Sequence, residues 1–205
     1  MGVTLAELAD GLGMPVPTGK IRTKGWSGQL IERELGAHGS HGPDFASLGV
    51  ELKSVPVHRA LVPLESTAVC HIDPVSIAGE SWNTSYARTK LAKVLWVALA
   101  VPEGGRSVGE RSVALVRLWS PSPEEEAALR RDFELFVRDY FRAGRAAEIT
   151  GHLGRVLQVR PKARNRSDMR GAFGPDGKPM RLGKSGFYLR PSFVQQILRG
   201  SNRDE

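Results

Sequence analysis

A strand that carries two opposite charges on one face constrains this chain more than any other feature. Residues Val50 to Val57 read as a strand, with β-branched Val at 50, 55 and 57 and Gly49 just before it. Successive side chains of a strand point to opposite faces, so Glu51 and Lys53 share one face while Val50 and Leu52 take the other. Asp44 lies seven residues before Glu51, across a turn short enough to fold it toward the same spot. Gathering two carboxylates and an ammonium in one place is costly unless something is bound there. The partners that suit those groups are a divalent metal and a phosphate.

The rest of the chain bounds where such a strand can sit. With 205 residues it makes one moderately large domain or two small lobes sharing a core. A hydrophobic fraction of 40% and a charged fraction of 25% belong to a folded, soluble protein. No apolar run approaches the roughly 18 to 20 residues that a membrane span needs. The N-terminus, Met1 to Leu8, has neither a charged leader nor a long apolar stretch, so no signal peptide is expected. A single cysteine, Cys70, excludes an intramolecular disulfide and suits a reducing cytoplasm. Lys and Arg number 29 against 22 acids, a net charge of +7 that fits a polyanionic partner. The distribution is more telling than the sum. Glu32, Asp44 and Glu51 lie in the first quarter, whereas Arg155, Arg160, Lys162, Arg164, Arg166, Arg170, Lys178, Arg181 and Lys184 crowd one later segment.

Thr4-Leu5-Ala6-Glu7 is a capping box opening a short helix, and Trp26 to Leu35 reads as a second helix closed by Gly36. Thr67 to Ile72 is expected as a strand that pairs with Val50–Val57 through the loop at 58–63. Asn83 to Lys93 reads as helix, Val94 to Val101 as a buried strand, and Arg111 to Trp119 as another strand. Ser122-Pro123-Glu124-Glu125 starts a long helix reaching about Arg142, with Ser at the N-cap, Pro at N1 and Glu at N3. Val156 to Val159 and Gly186 to Leu189 are short strands, 160–185 between them reads as a polar basic loop, and Ser192 to Leu198 closes the chain as a helix. The expected fold class is α/β (α+β), a mixed sheet flanked by helices.

Asp44, Glu51 and Lys53 have the spacing of the nuclease pattern Asp…(Asp/Glu)-x-Lys. Mg²⁺ takes oxygen ligands and offsets charge on a scissile phosphate, and a lysine on the same face can position or activate the attacking water. An exposed strand with a surface Glu–Lys pair fits the spacing too, but Pro43, Phe45, Gly49 and Val50 favour the active-site reading. A carboxylate on the preceding helix could complete the metal shell, and helical geometry alone does not choose between Glu32 and Glu34. Lys24-Gly25-Trp26 could hold a phosphate at that helix's start or simply cap it. His38, His41, Cys70 and His71 match no common zinc spacing. Arg160 and Lys162 are side chains suited to guanine edges or to phosphate. Tyr188 is either core or a sensor of a base methyl group.

In these segments the chain resembles the MutH family of DNA mismatch-repair endonucleases, relatives of GATC-cleaving restriction enzymes. The matching stretches are Lys24-Gly25-Trp26 with Leu30-Ile31-Glu32 and Leu35-Gly36, Asp44 through Val57, and Lys90 through Trp96. Leu118 through Pro121, Gln158 through Ala163 and Gly186 through Leu189 follow in the same order. The resemblance implies a single endonuclease domain over residues 1–205 with a restriction-endonuclease-like fold. Its two lobes would form a DNA cleft, the metal site within about 1–100 and the DNA-reading lobe within about 110–205. It implies a cytoplasmic monomer that uses Mg²⁺ to hydrolyse one phosphodiester 5′ to the G of GATC, on the unmethylated strand of hemimethylated double-stranded DNA, with MutL and ATP as activator. Asp44, Glu51 and Glu32 would hold metal and Lys53 would serve catalysis, the resemblance being what selects Glu32. Lys24 and Lys90 would lie near DNA, Arg160 and Tyr188 would sense adenine methylation, and Lys162 would contact bases. Thr89 stands where a histidine is expected, and Ala68 where a larger aromatic residue can occur. The rival readings are a GATC restriction enzyme that cuts both strands and a DNA-binding module without catalysis.

Overall fold

The structure is a computed structural model, and it describes residues 2–19, 25–37, 42–105, 107–162, 169–174 and 176–200. In chain order the principal elements are α1 (Leu5–Gly11), α2 (Trp26–Glu34), β1 (Glu51–His58), β2 (Val62–Pro63), β3 (Thr67–Ile72), α3 (Tyr86–Leu91), β4 (Val94–Ala100) and β5 (Ser112–Trp119). There follow α4 (Pro123–Phe136), β6 (Leu157–Pro161), β7 (Met169–Phe173), β8 (Pro179–Gly183), β9 (Ser185–Leu189) and α5 (Pro191–Arg199). Two compact units share the chain: Met1–Glu65, Ala92–Ser120 and Pro191–Glu205 form the first, Ser66–Leu91 and Pro121–Arg190 the second. Among the described residues no helix is long and apolar enough to cross a membrane.

The first unit is a four-stranded mixed sheet in the order β2-β1-β4-β5. β1 and β4 run parallel, with Glu51 opposite Val94 and Lys53 opposite Trp96, while β5 is antiparallel to β4. The unbroken apolar run of β4 is what a strand covered on both faces requires. On one face Leu52, Val97 and Leu99 pack with Leu5 and Ala9 of α1 and Trp26, Leu30 and Ile31 of α2. On the other, Trp96 meets Trp119 edge-on at 6.2 Å, and Trp119 meets Phe193 of α5 at 6.3 Å. Glu51 and Lys53 belong to this second face, by register with Val94 and Trp96. Thr4 and Glu7 form the expected capping box, which sets the start of α1.

The second unit is a three-stranded antiparallel sheet, β3-β9-β6, with the hairpin β7–β8 beside it in sequence. α4 lines its core: Phe133 and Phe136 stand 5.4 and 6.2 Å from Phe187, and Trp82 stands 5.4 Å from Phe133. Ser122 caps α4 with Glu125 as foreseen, and the helix runs on through a π turn at Val137–Phe141. Asp132 is a buried carboxylate on α4 whose Oδ2 accepts the N–H groups of Arg155, Val156 and Leu157 at 2.7, 2.7 and 2.9 Å. It thereby fixes the segment that begins β6.

Three expectations are corrected here. β3 does not pair with β1; it pairs with β9, Thr67 opposite Leu189 and His71 opposite Gly186. β4 takes one edge of β1 along its length; on the other edge β2 pairs with Val57 and His58 alone, and the Leu52 amide is bonded to Asp44. The segment 160–185 is not a continuous loop, because 169–173 and 179–183 pair as a hairpin. Its turn is closed by Gly177 N–H to the Gly174 carbonyl at 3.0 Å, with Gly177 at φ +73°. Finally, 83–93 is a 3₁₀ turn at Trp82–Thr84 followed by the shorter α3, and the Lys93 carbonyl already accepts the Glu51 N–H at 2.9 Å as sheet pairing begins.

Candidate active site and nucleic-acid interface

The loop before β1 brings Asp44 to the strand. Phe45 and Val50 bond to each other in both directions, N–H to carbonyl at 2.9 and 3.3 Å, around the 3₁₀ turn Ala46–Leu48. Gly49 closes that turn at φ +62°, a conformation that costs a β-carbon-bearing residue about 1 kcal/mol. The result places the Asp44 Oδ2 2.7 Å from the Leu52 amide, which donates to it. One residue to either side, Glu51 Oε1 accepts from Lys53 Nζ at 3.2 Å. Those two side chains are only 8% and 9% exposed, which rules out a solvated surface pair. Glu51 and the half-buried Asp44 supply carboxylate oxygens on either side of the Leu52 amide, the donor type that a hard divalent cation takes.

Glu32 is half-buried on α2 and Glu34 is exposed, so burial, unlike helical spacing, separates the two. A β-carbon at Gly28 would stand 3.7 Å from Glu32 Oε1 and 3.6 Å from the Ser54 hydroxyl, so Glu32 turns back along its helix at a point that β1 also approaches. By alternation Ser54 lies on the face of β1 opposite Glu51 and Lys53. Among the described residues, no group of three or more His, Cys, Asp and Glu side chains lies close enough to hold a metal ion. The structure pairs Glu51 with Lys53 and bonds Asp44 to the Leu52 amide between them, and among the described residues Asp44, Glu51 and Glu32 do not form one three-carboxylate group. The oxygen donors of Asp44 and Glu51 fit Mg²⁺, which is commonly held by one or two carboxylates and fills its shell with water and substrate phosphate.

The second unit carries a different set. On β9 and its neighbours, Ala68, Tyr188 and Gln158 form one cross-strand row, and His71, Gly186 and Arg160 the next. These rows face away from the core side on which Phe187, Val159 and Leu189 are buried. The Arg160 guanidinium lies 5.9 Å and the Lys162 ammonium 5.3 Å from the centre of the Tyr188 ring. Gly186 makes room for this, because a β-carbon there would sit 2.8 Å from Lys162 Cε and 2.7 Å from the Cys70 carbonyl oxygen. Partial burial, and then the charges of Lys162 and Lys184, push the His71 imidazole below its usual pKa. A neutral imidazole can accept a hydrogen bond, which neither Lys nor Arg can do. Tyr188 is thus neither buried core nor isolated: it is the aromatic floor under two cations. Lys90 lies on α3 with its ammonium 5.5 Å from the Tyr86 ring. Lys24, Arg164 and Arg166 fall outside the described residues.

Sequence reasoning passed over His71 as anything but a zinc candidate, and it gave no role to Ser66, Gln158 or Asp132. A polar residue buried in a short strand, as Gln158 is at 5% exposure, leaves no periodic signal; only its partner Ser66, distant in the same chain, reveals it.

A mixed sheet with helices on both faces, carrying a buried Glu-x-Lys pair on a central strand with Asp44 in the loop before it, defines a restriction-endonuclease-like fold. The comparison with known proteins specifies the lineage. The family model "DNA mismatch repair enzyme MutH" matches residues 35–132. The DNA mismatch repair protein MutH of Vibrio cholerae serotype O1 (strain ATCC 39315 / El Tor Inaba N16961) is 45% identical over 202 residues, covering 97% of this chain and 90% of that protein. Those of Pectobacterium atrosepticum and Haemophilus ducreyi are 42% and 40% identical, each over at least 96% of this chain and 85% of the relative. The chain belongs to the MutH family, and its role lies in DNA mismatch repair.

Proposed function

We propose that this protein is a cytoplasmic, Mg²⁺-dependent endonuclease that nicks the unmethylated strand of hemimethylated GATC sites, acting as a monomer once MutL engages it. The observation that carries the reading is the buried Glu51–Lys53 pair at 3.2 Å, on the strand whose Leu52 amide holds Asp44. In this reading Asp44 and Glu51 hold the cation, which supplies positive charge at the scissile phosphate. Lys53, tethered by Glu51, points its ammonium at the attacking water and sets its line of approach to phosphorus. The water oxygen bonds to phosphorus and gives up a proton to solvent, the bond from phosphorus to the 3′ oxygen breaks, that oxygen takes up a proton as a 3′-hydroxyl, and a 5′-phosphate remains. Glu32 serves as a further carboxylate once substrate is bound, and Lys24 and Lys90 hold the backbone.

Base discrimination belongs to Arg160, Lys162 and Tyr188 in the second unit. The reading is supported there by donors of fixed orientation above an aromatic ring that would meet a base methyl group. Tyr188→Ala should lower the preference for the unmethylated strand about tenfold while leaving total nicking of unmodified DNA within a few-fold. An unchanged preference in strand-resolved cleavage rejects that role.

A supercoiled GATC plasmid incubated with Mg²⁺, MutL and ATP tests the activity. Open circles that vanish when EDTA is added are expected. Linear product as the first species formed would mean that both strands are cut together, and intact plasmid would mean a binding module.

A further inference from the structure

We infer that Ser66 is a positioning residue for base discrimination: its hydroxyl ties the buried amide of Gln158 to the guanidinium of Arg160 and fixes the edge that Arg160 presents. The inference rests on the reading of Arg160 as a discriminating residue. Gln158 Nε2 donates to Ser66 Oγ at 2.7 Å, and Arg160 Nη1 donates to the same oxygen at 3.3 Å. A hydroxyl oxygen offers two acceptor sites, and these two donors fill them.

The three residues differ in how freely they can move. Gln158 is 5% exposed and sits between Leu157 and Val159, which are locked into the core, so its amide is a fixed reference point. Arg160 is two residues further along the same strand and is exposed, so its long side chain has no packing to hold it. Two contacts supply what packing does not. The Tyr188 ring, its centre 5.9 Å away, draws the guanidinium toward its face. Ser66 limits its rotation, because the bond to Oγ engages Nη1 and leaves the Nε–Nη2 edge to serve as the fork for a base. A guanidinium reads guanine by two parallel bonds to O6 and N7, and that geometry is lost if the fork rotates. Ser66 touches no base in this account; it acts through Arg160.

The test is a double-mutant cycle on strand-resolved cleavage of hemimethylated GATC duplexes and of duplexes with one base pair of the site replaced, with kcat and KM determined separately. Ser66→Ala should lower the discrimination ratio about tenfold and cause no further loss when added to Arg160→Ala, the mark of two residues acting as one. Ser66→Thr, which keeps the hydroxyl, should restore the ratio. Gln158→Leu approaches the same tie from its buried end and should lower the ratio as well, so the result does not depend on one variant folding. Equal losses from Ser66→Ala with and without Arg160 would make Ser66 a structural residue and overturn the inference. An unchanged ratio in Ser66→Ala, with a lowered one in Arg160→Ala, would overturn the inference alone. An unchanged ratio in Arg160→Ala would overturn the reading of Arg160 and the inference with it.

Discussion

Lys53→Ala should reduce nicking by on the order of a thousandfold, the range expected when a group that orients or exchanges a proton with the attacking water is removed, while duplex binding stays within about tenfold, equivalent to 1.4 kcal/mol. The separation follows from position. Lys53 lies on the strand beside the carboxylates, not on the basic face that carries Arg160, Lys162 and Tyr188. Asp44→Ala should behave alike for a different reason, since it removes a proposed oxygen ligand and also leaves the Leu52 amide without its acceptor. Breaking the Lys53–Glu51 pair takes an ion-pair partner from a carboxylate that is 8% exposed, and losing one member of a buried pair costs up to about 3–5 kcal/mol. Melting temperature therefore has to be followed beside activity. The double variant Glu51→Gln, Lys53→Met removes both charges; it should regain most of the lost melting temperature and none of the nicking. If nicking returned with stability, the pair would be structural and the active-site assignment would fail.

The second large effect concerns stability. Asp132→Ala removes one carboxylate oxygen that receives three backbone N–H groups, and leaves the amides of Arg155, Val156 and Leu157 without their acceptor. Hydrogen bonds to a charged acceptor contribute about 1.5–3 kcal/mol each, and they do not add fully when they share an atom. A loss of roughly 3–5 kcal/mol is expected, or a fall of about 10 °C in the melting temperature of a chain this size. Asp132→Asn keeps one acceptor oxygen and should lose about half as much. Because β6 begins at Leu157 and presents Gln158 and Arg160, the variant should also blur base discrimination before it unfolds. A melting temperature within 2 °C of the parent, in buffer where the parent unfolds reversibly, would show that this carboxylate is replaceable by water.

What could be read from the chain and what could not divide along a physical line. Local rules located the parts: the cap at Thr4, the Ser122-Pro123 helix start, the apolar run of β4 and the alternation that puts Glu51 beside Lys53. Each depends on neighbours a few residues away. The partner of β3 was misjudged because sequence proximity suggested a hairpin with β1, whereas β3 pairs with β9 more than 100 residues further on, a long-range choice that no local pattern marks. The hairpin of β7 and β8 was missed because arginine, lysine and glycine outnumber the alternating apolar residues there, although Gly174-Pro175-Asp176-Gly177 between them is a turn sequence. In the site, alternation along β1 anticipated the Glu51–Lys53 pair, and the turn closed at Gly49 brings Asp44 back to the Leu52 amide between them. Glu32 was selected by resemblance, and its carboxylate turns back toward Gly28. Ser66 and Asp132 act through partners 92 and 23 to 25 residues away, and nothing local marks them.

The central claim is that one strand is cut and methylation chooses which. A duplex with a single hemimethylated GATC site, each strand bearing its own label, tests it most directly with Mg²⁺, MutL and ATP present. The account predicts product from the unmethylated strand alone, broken 5′ to the G, and a far slower reaction when both strands are methylated. Equal cleavage of the two strands, or equal rates on hemimethylated and fully methylated duplexes, would contradict it.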